Sequence, residues 1–347
     1  MKPPELSVIL TVLNGESYIS AAIESILNQT FRDFELIVIN DGSTDTTSVI
    51  IESYSDPRII YLQNEKNSGI AKSLNTGLSI AQGKYIAIMD ADDISMPERF
   101  SKQFQFLENN PEIGICGSWI NIIDKKGNLM GNRRFPVSSN VISCFLLFYC
   151  CVANPTTMYR KTIIQDVGNY NSEFVAAMDY DLWTRMIGHY RIANIPEFLV
   201  NYRKHGNNIS QNREKHHHED FRIRKIAIEK FLGHTLSSEE DVALSEWIKP
   251  KSKMHLNEIF LIDALILKIY KKYLLTNKIS HDELEEINLF FANQAINLAW
   301  LSISISKIAC VKLITRGFRY RPAIFLVIFK QVLNLISKTI TNKLWLP

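Results

Sequence analysis

Long apolar runs are missing from this sequence. No segment reaches the roughly 18 uninterrupted apolar residues that a membrane-crossing helix needs. The nearest approaches are Ile287–Ile305, broken by Asn288, Asn293, Gln294 and Asn297, and the short run Pro322–Phe329. That excludes a conventional span and leaves attachment to a surface. Cysteine is sparse: the five residues Cys116, Cys144, Cys150, Cys151 and Cys310 fit the spacing of neither a zinc site nor a disulfide framework. They read as buried thiols in a reducing compartment. The first residues, Met1-Lys2-Pro3-Pro4-Glu5, lack the apolar core and cleavage site of a secretory signal, which argues against secretion. A strong charge of either sign is also lacking. With 39 Lys and Arg against 36 Asp and Glu, the formal net charge of +3 is too mild for a protein that tracks nucleic-acid phosphates. Acidic residues, finally, stop at Glu286, whereas basic ones continue from Lys307 to Lys343 among apolar stretches.

What is present supports a packed core, with 46% hydrophobic and 22% charged residues. A chain of 347 residues suits one large α/β domain with a smaller appendage. Ser7–Leu13 is a β-branched run that predicts a buried strand. Ile19, Ala22, Ile23, Ile26 and Leu27 then share one helical face. Phe34–Ile39 predicts a second strand closed by Asn40-Asp41-Gly42-Ser43, with a helical stretch through Ile51. Ile59–Leu62, Ile70–Ala81 and Tyr85–Met89 continue as strand, helix and strand. This alternation predicts a parallel, doubly wound sheet with ligands outside the carboxyl ends of its strands. Polar residues gather at those ends: Thr11, Asn14, Asp41, Asp90 and Asp92.

Beyond Pro97 the pattern is less regular, with strands expected at Ile113–Ile120 and Thr156–Tyr159 and a helix at Asp181–Gly188. A domain boundary is placed near residue 213. Helices are expected at Arg222–Leu232, Asn257–Leu275 and His281–Ala299. His216, His217 and His218 read as a solvated loop.

Asp90-Ala91-Asp92-Asp93 follows an apolar strand directly. In isolation three acids there fit a solvated turn and helix cap as well as they fit a ligand site. Hard cations such as Mg²⁺ or Mn²⁺ take oxygen ligands and often keep one or two carboxylates while phosphates fill the remaining positions. A diphosphate is the implied partner. Asp41, with its Gly-Ser turn, lies at the end of the neighbouring strand and faces the same crevice.

Taken in order, the motifs Ser7–Asn14, Ile39–Asp45, Asn67–Gly77, Ala81–Ile86 and Met89–Asp93 resemble the family 2 glycosyltransferases of the GT-A fold over about residues 6–210. The resemblance implies an α/β, doubly wound mixed sheet with a mainly helical C-terminal region. Residues 1–213 would form the catalytic domain, with a nucleotide-sugar half to about 95 and an acceptor half after it. Residues 214–347, beyond the resemblance, read as helical and basic, and their apolar faces suit either an anionic membrane surface or packing on the catalytic domain.

By the same resemblance Asp41 accepts a hydrogen bond from the nucleotide base, commonly uracil, while Thr11 and Asn14 line that pocket. Glu16, Gly69 and Ala91 join the donor site, and Lys72 sits near the nucleotide. Thr11 stands where the family usually has proline. Asp90 approaches ribose and metal, Asp92 ligates the metal, and His205, in the segment Tyr202–Ser210 expected to close over the donor, completes the metal or diphosphate shell. Met178-Asp179-Tyr180-Asp181-Leu182-Trp183 resembles the acceptor-side segment, with Met178 in place of the usual glutamate. Asp179 is thus the expected base and Asp181 the fallback. Asn154-Pro155-Thr156 resembles the lead into the acceptor-side strand.

The expected activity is inverting transfer of a hexosyl or N-acetylhexosaminyl group, dependent on Mn²⁺ or Mg²⁺, from a nucleoside diphosphate, UDP favoured. The acceptor would be a hydroxyl of a glycan carried on a polyprenyl diphosphate lipid, in surface polysaccharide synthesis. The protein would lie in the cytoplasm, peripheral on the inner membrane, with Trp300, Phe318, Tyr320, Phe325, Phe329 and Trp345 at interfacial depth. A nucleotidyltransferase would need a glycine-rich, basic loop after the first strand, where Thr11-Val12-Leu13-Asn14-Gly15-Glu16 carries no lysine or arginine. A non-catalytic binding protein of the same fold is the other alternative.

Overall fold

The structure, a computed structural model, describes residues 2–206, 213–248, 254–302 and 305–317. The chain divides into two compact units, Met1–Ala227 and Ile228–Pro347. The first is built on nine strands: β1 (Leu6–Val12), β2 (Phe34–Asn40), β3 (Ile59–Gln63), β4 (Tyr85–Asp90), β5 (Ile94–Ser95), β6 (Ile113–Ile123), β7 (Leu129–Arg133), β8 (Met158–Arg160) and β9 (Arg191–Arg203). Their order across the sheet is β3-β2-β1-β4-β8-β6-β9-β5, with β7 paired to β6. Helices α1 (Ile19–Leu27), α2 (Thr47–Glu52) and α3 (Ile70–Ile80) connect the first four strands. Next come α4 (Arg99–Asn109), α5 (Ser139–Phe145), α6 (Lys161–Val167), α7 (Met178–Met186) and α8 (Arg213–Leu232).

β1 and β2 are apolar runs buried along nearly their whole length, as strands covered on both faces must be. Ile19, Ala22, Ile23 and Ile26 of α1 turn one face into that core. The sheet is parallel only across β3-β2-β1-β4. β8 then enters antiparallel between β4 and β6, so the sheet is mixed. β9 runs parallel to β6, and its register shifts three times along that strand. Those shifts, with Pro196 and Glu197 inside the strand, break the alternation that would have revealed it.

The expected strand at Thr156–Tyr159 starts later, because Asn154–Thr156 form a 3-10 turn around Pro155. The helix expected at Asp181–Gly188 begins at Met178, which puts Asp179 in its first turn. His216 to His218 lie inside α8 rather than in a loop. The Ala81-Gln82-Gly83 motif has a packing cause. A Cβ on Gly83 would come within 2.4 Å of the Ser7 backbone nitrogen. Gly83 N–H donates to Ser7 Oγ (2.8 Å), Ser7 Oγ donates to Glu35, and Glu35 also accepts from Gln82 N–H at 2.6 Å.

Register places the site. Thr11 of β1 stands opposite Ile39 of β2 and Asp90 of β4, and Val12 opposite Asn40. The carboxyl ends of β1, β2 and β4 are therefore level, at the point where the strand order changes direction around β1.

In the second unit, α9 (Ser238–Ile248), α10 (Leu256–Thr276), α11 (His281–Ser302) and α12 (Lys307–Gly317) follow one another. Ile259, Ile262, Ile266, Ile269 and Tyr273 bury one face of α10. No helix among the described residues is long and apolar enough to cross a membrane. Phe318, Tyr320, Phe325, Phe329 and Trp345 lie outside the described residues, as do Asn207–Ser210 of the expected closing segment.

Candidate active site

At the end of β4 the chain leaves extended geometry after Asp90, and Asp93 N–H bonds back to the Asp90 carbonyl at 3.3 Å. That tight turn brings one carboxylate oxygen each from Asp90, Asp92 and Asp93 within 4.8 Å of one another. Crowding and burial act together on the group. Burial, then the Asp92 and Asp179 carboxylates, push Asp90 up to about 8, and Arg99 only partly offsets them. Asp93 is likewise raised, by burial first. Its Oδ1 accepts from Arg203 N–H at 2.7 Å, while its buried Oδ2 has no hydrogen-bond partner among the described residues. Hard oxygen donors, mutual repulsion and an orphaned carboxylate oxygen together fit a divalent cation such as Mg²⁺ or Mn²⁺.

β9 closes over this turn. Arg203 Nε donates to the Asp92 carbonyl at 2.8 Å, and its guanidinium stacks 4.7 Å from the Tyr18 ring centroid. His205 Nε2 lies 2.8 Å from Asp92 Oδ2, with its ring 5.0 Å from that of Tyr18. His205 is therefore part of the acidic cluster's rim. Below the cluster sits Arg99, 0% exposed. It donates to the carbonyls of Ile88 (2.9 Å) and Thr157 (3.3 Å) and to Gln103 Oε1 (2.9 Å). Its charge favours ionised Asp90 and Asp93.

These energetics give a stability prediction for the metal-free protein. Asp90 binds its proton more tightly folded than unfolded, so its contribution to stability falls as pH rises from about 4 towards about 8. Asp90→Asn should accordingly raise the melting temperature at pH 8 in EDTA by at least a few degrees, with the gain vanishing near pH 4. Differential scanning fluorimetry at the two pH values checks it. An unchanged or lower melting temperature at pH 8 would remove the charge-crowding account.

Just after β2, Asp41 is 4% exposed. Its Oδ1 accepts from Asn64 Nδ2 (2.7 Å), Ser68 N–H (2.9 Å) and Ser68 Oγ (2.7 Å), and its Oδ2 from Gly69 N–H (2.9 Å). Burial alone would raise its pKa, but these bonds outweigh it and hold the carboxyl low. Asp41 thus ties the loop before α3 to the end of β2, and Oδ2 keeps acceptor capacity for one more donor. Gly42 permits the close approach: its φ is +78°, and a Cβ there would meet the Lys66 backbone at 2.6 Å.

Asn14, at φ 52°, accepts from Thr44 N–H at 2.9 Å, and its own N–H donates to Ser43 Oγ at 2.8 Å. Glu16 Oε2 accepts from Thr46 N–H (3.1 Å) and Oγ1 (2.7 Å). Both side chains stitch the loop after β1 to the turn after β2. Gly69 precedes α3, Lys72 is exposed on that helix, and half-buried Thr11 and Ala91 flank Asp90.

In the first turn of α7, Asp179 Oδ1 accepts from Tyr180 N–H at 2.8 Å, and Cys150 Sγ lies 4.0 Å from its Oδ2. Burial pushes Asp179 up to about 6, against the Tyr180 N–H and the nearby His216. Asp181, by contrast, is committed to Arg185 at 3.0 Å. Arg185 in turn bonds the carbonyls of Val167 and Asn169. Asn154 Oδ1 accepts from Tyr170 Oη at 3.1 Å and so belongs to the packing beneath the site. His216 pairs with Asp220 (3.2 Å), and that hydrogen bond is the first cause of its raised pKa.

Sequence reasoning passed over Arg99, Arg203 and His216.

Comparison with known proteins identifies the family. The family model for glycosyl transferase family 2 matches residues 7–183. The O-antigen biosynthesis glycosyltransferase WbnJ of Escherichia coli is 33% identical over 209 residues, 58% of this chain and 80% of that protein. The UDP-Glc:alpha-D-GlcNAc-diphosphoundecaprenol beta-1,3-glucosyltransferase WfaP, also of Escherichia coli, is 32% identical over 211 residues, 60% of this chain and 81% of that one. Among solved structures, S. aureus TarS 1-349 in complex with UDP-GlcNAc superposes with a TM-score of 0.57 at 19% identity, covering 76% of this chain and 81% of that one. That likeness concerns the fold. Motif order, the acid cluster at the sheet's switch point and the family match lead to one conclusion: the chain is a glycosyltransferase and belongs to glycosyl transferase family 2.

Proposed function

We propose that the protein moves a sugar from a nucleoside diphosphate, UDP favoured, to a hydroxyl of a growing surface glycan, with inversion at the anomeric carbon. The observation that carries this reading is the convergence of the Asp90, Asp92 and Asp93 carboxylates within 4.8 Å at the level ends of β1, β2 and β4, with Asp179 near enough to act on Asp90. Two functions then meet in one crevice: carboxylates suited to a metal-bound diphosphate and a separate carboxylate suited to an acceptor proton.

Asp92 and Asp90, with His205 at the rim, would hold Mn²⁺ or Mg²⁺. When bound, the ion neutralises charge building on the departing diphosphate. Asp41 Oδ2 receives the base's N–H, and Thr11, Ala91 and Gly69 line the pocket. Asn14 and Glu16 build its wall, and Lys72 adds positive charge beside the nucleotide. Asp179 takes the proton as the acceptor oxygen attacks, then releases it to solvent after UDP departs.

The names of WbnJ and WfaP support an envelope glycan acceptor on a diphosphate lipid, and the TarS complex supports a UDP-sugar donor. The loop after β1 carries no basic side chain, which disfavours a nucleotidyltransferase. A non-catalytic role is disfavoured by the full set Asp41, Asp90, Asp92 and Asp179. Contact with an anionic membrane face is supported by Trp300, Leu301, Ile305 and Ile308 at the surface of the second unit, Ile308 being 73% exposed. That contact would place the protein in the cytoplasm against the inner membrane.

The reading is tested by a panel of UDP- and GDP-sugars in thermal shift with and without Mn²⁺. The expected outcome is a rise with one or a few UDP-sugars that requires the metal; a metal-independent rise with GDP-sugars alone would overturn the donor assignment. A pH dependence follows as well. A base must be ionised to accept a proton, so kcat/KM should fall about tenfold per pH unit below about 6, the value to which Asp179 is raised. A rate flat from pH 7 down to 4.5 would contradict Asp179 as the base.

A further inference from the structure

The backbone leading into α7 is held from outside its own segment. Glu219 of α8 is 4% exposed, and its carboxylate accepts from three successive amides: Val175 N–H (3.0 Å to each oxygen), Ala176 N–H (2.7 Å) and Ala177 N–H (3.0 Å). Ala177 is the residue immediately before α7, and Asp179 stands two positions further on. Amides at a helix start have no partner within the helix, and three in succession pointing one way form an anion-binding concavity. A carboxylate from elsewhere in the chain fills that concavity.

We propose that Glu219 is a positioning residue for Asp179, clamping Val175–Ala177 so that the first turn of α7 holds the base in the crevice. The inference rests on the reading of Asp179 as the base. Three features give it weight over a generic helix cap. Burying a carboxylate is costly unless it is fully hydrogen-bonded, and Glu219 places all these bonds on one short segment. The approach to that segment is also held by α8: Arg222 stacks 5.1 Å from the Phe174 ring centroid and pairs with Glu173 at 3.4 Å, while Asn171 makes a local turn through Phe174 N–H to its carbonyl (3.2 Å) and Glu173 N–H to its Oδ1 (3.0 Å). Asp179's carboxylate meets the adjacent Tyr180 N–H and, at 4.0 Å, the Cys150 thiol, contacts that orient the carboxylate but not the backbone leading into the helix. Lastly, the same stretch of α8 carries the His216–Asp220 pair, whose charges act on Asp179. α8 thereby sets both the place of the base and the charges around it.

The test uses the full chain with Glu219→Ala and Glu219→Gln, alone and combined with Asp179→Asn. The readouts are kcat, donor KM, UDP affinity in Mn²⁺ by calorimetry, and the thermal melt. Glu219→Ala should lower kcat about 10- to 100-fold, the scale of a misplaced catalytic group, with UDP affinity within about threefold of wild type. Glu219→Gln keeps the shape and one acceptor oxygen, so it should keep the fold and lose less. In the Asp179→Asn background Glu219→Gln should cost nothing further, because the group it positions is already gone. The proposal is overturned if Glu219→Ala folds and keeps full kcat. It is equally overturned if Glu219→Gln lowers the residual Asp179→Asn rate by the factor seen in wild type, which is what a purely structural cap would give. Full transfer by Asp179→Asn itself would instead remove the assignment of the base, so the two failures are distinguishable.

Discussion

Asp92→Ala should reduce sugar transfer by roughly a thousandfold or more, with the loss appearing in kcat and in the apparent affinity for the metal. Of the three clustered carboxylates, Asp92 is the one we assign as the direct ligand. Asp93 has Oδ1 committed to Arg203 N–H. Asp90 is raised to about 8 by burial and by its neighbours, so it gives up its proton readily only once a cation arrives. Asp92 lies on the half-exposed side of the turn, with His205 beside it at 2.8 Å. Its loss removes a ligand and also leaves His205 without its carboxylate. Titrating Mn²⁺ against initial rate for wild type and variant measures both effects; equal metal requirement and equal rate would exclude Asp92 from the metal site.

Asp179→Asn should lower transfer by about 10²–10⁴-fold while leaving UDP affinity and the fold intact. Asparagine keeps the side chain's shape and its acceptor oxygen for Tyr180 N–H, but it cannot take a proton. Because burial already penalises the ionised carboxylate, the variant should melt no lower than wild type at neutral pH. A rate loss therefore has no structural excuse. Asp181 offers no substitute base, since Arg185 holds it in an ion pair that also ties down the end of α6 and the loop after it. Wild-type turnover by Asp179→Asn, measured as UDP released in the presence of acceptor, would require the proton to leave by another group.

The first four strands were legible in the sequence because they are apolar runs closed by polar turns, a pattern that fixes the element type and the end at which polar residues gather. The later strands were less so. β9 carries Asn194, Pro196, Glu197 and Asn201 and slips register against β6, so no period of two survives in it. Arg99 resembles a surface cation on an amphipathic helix, and only the tertiary fold turns it under Asp90. Asn14 and Glu16 show a different limit. A polar side chain at a strand end reads alike whether it faces a ligand or, as here, bonds the next loop. Glu219 lies 42 residues along the chain from Ala177, whose N–H it accepts, a separation that no local pattern reports, and His216 stands on the same distant helix.

The central claim is that the crevice at the ends of β1, β2 and β4 binds a metal-bound nucleoside diphosphate and that Asp179 uses it for transfer. Its most direct test is UDP release from UDP-sugars, with glycan acceptor and Mn²⁺, in wild type, Asp92→Ala and Asp179→Asn. The account predicts release by wild type with at least one UDP-sugar, abolished by EDTA and nearly lost in both variants. Release that persists in EDTA, or that either variant sustains at the wild-type rate, would contradict it.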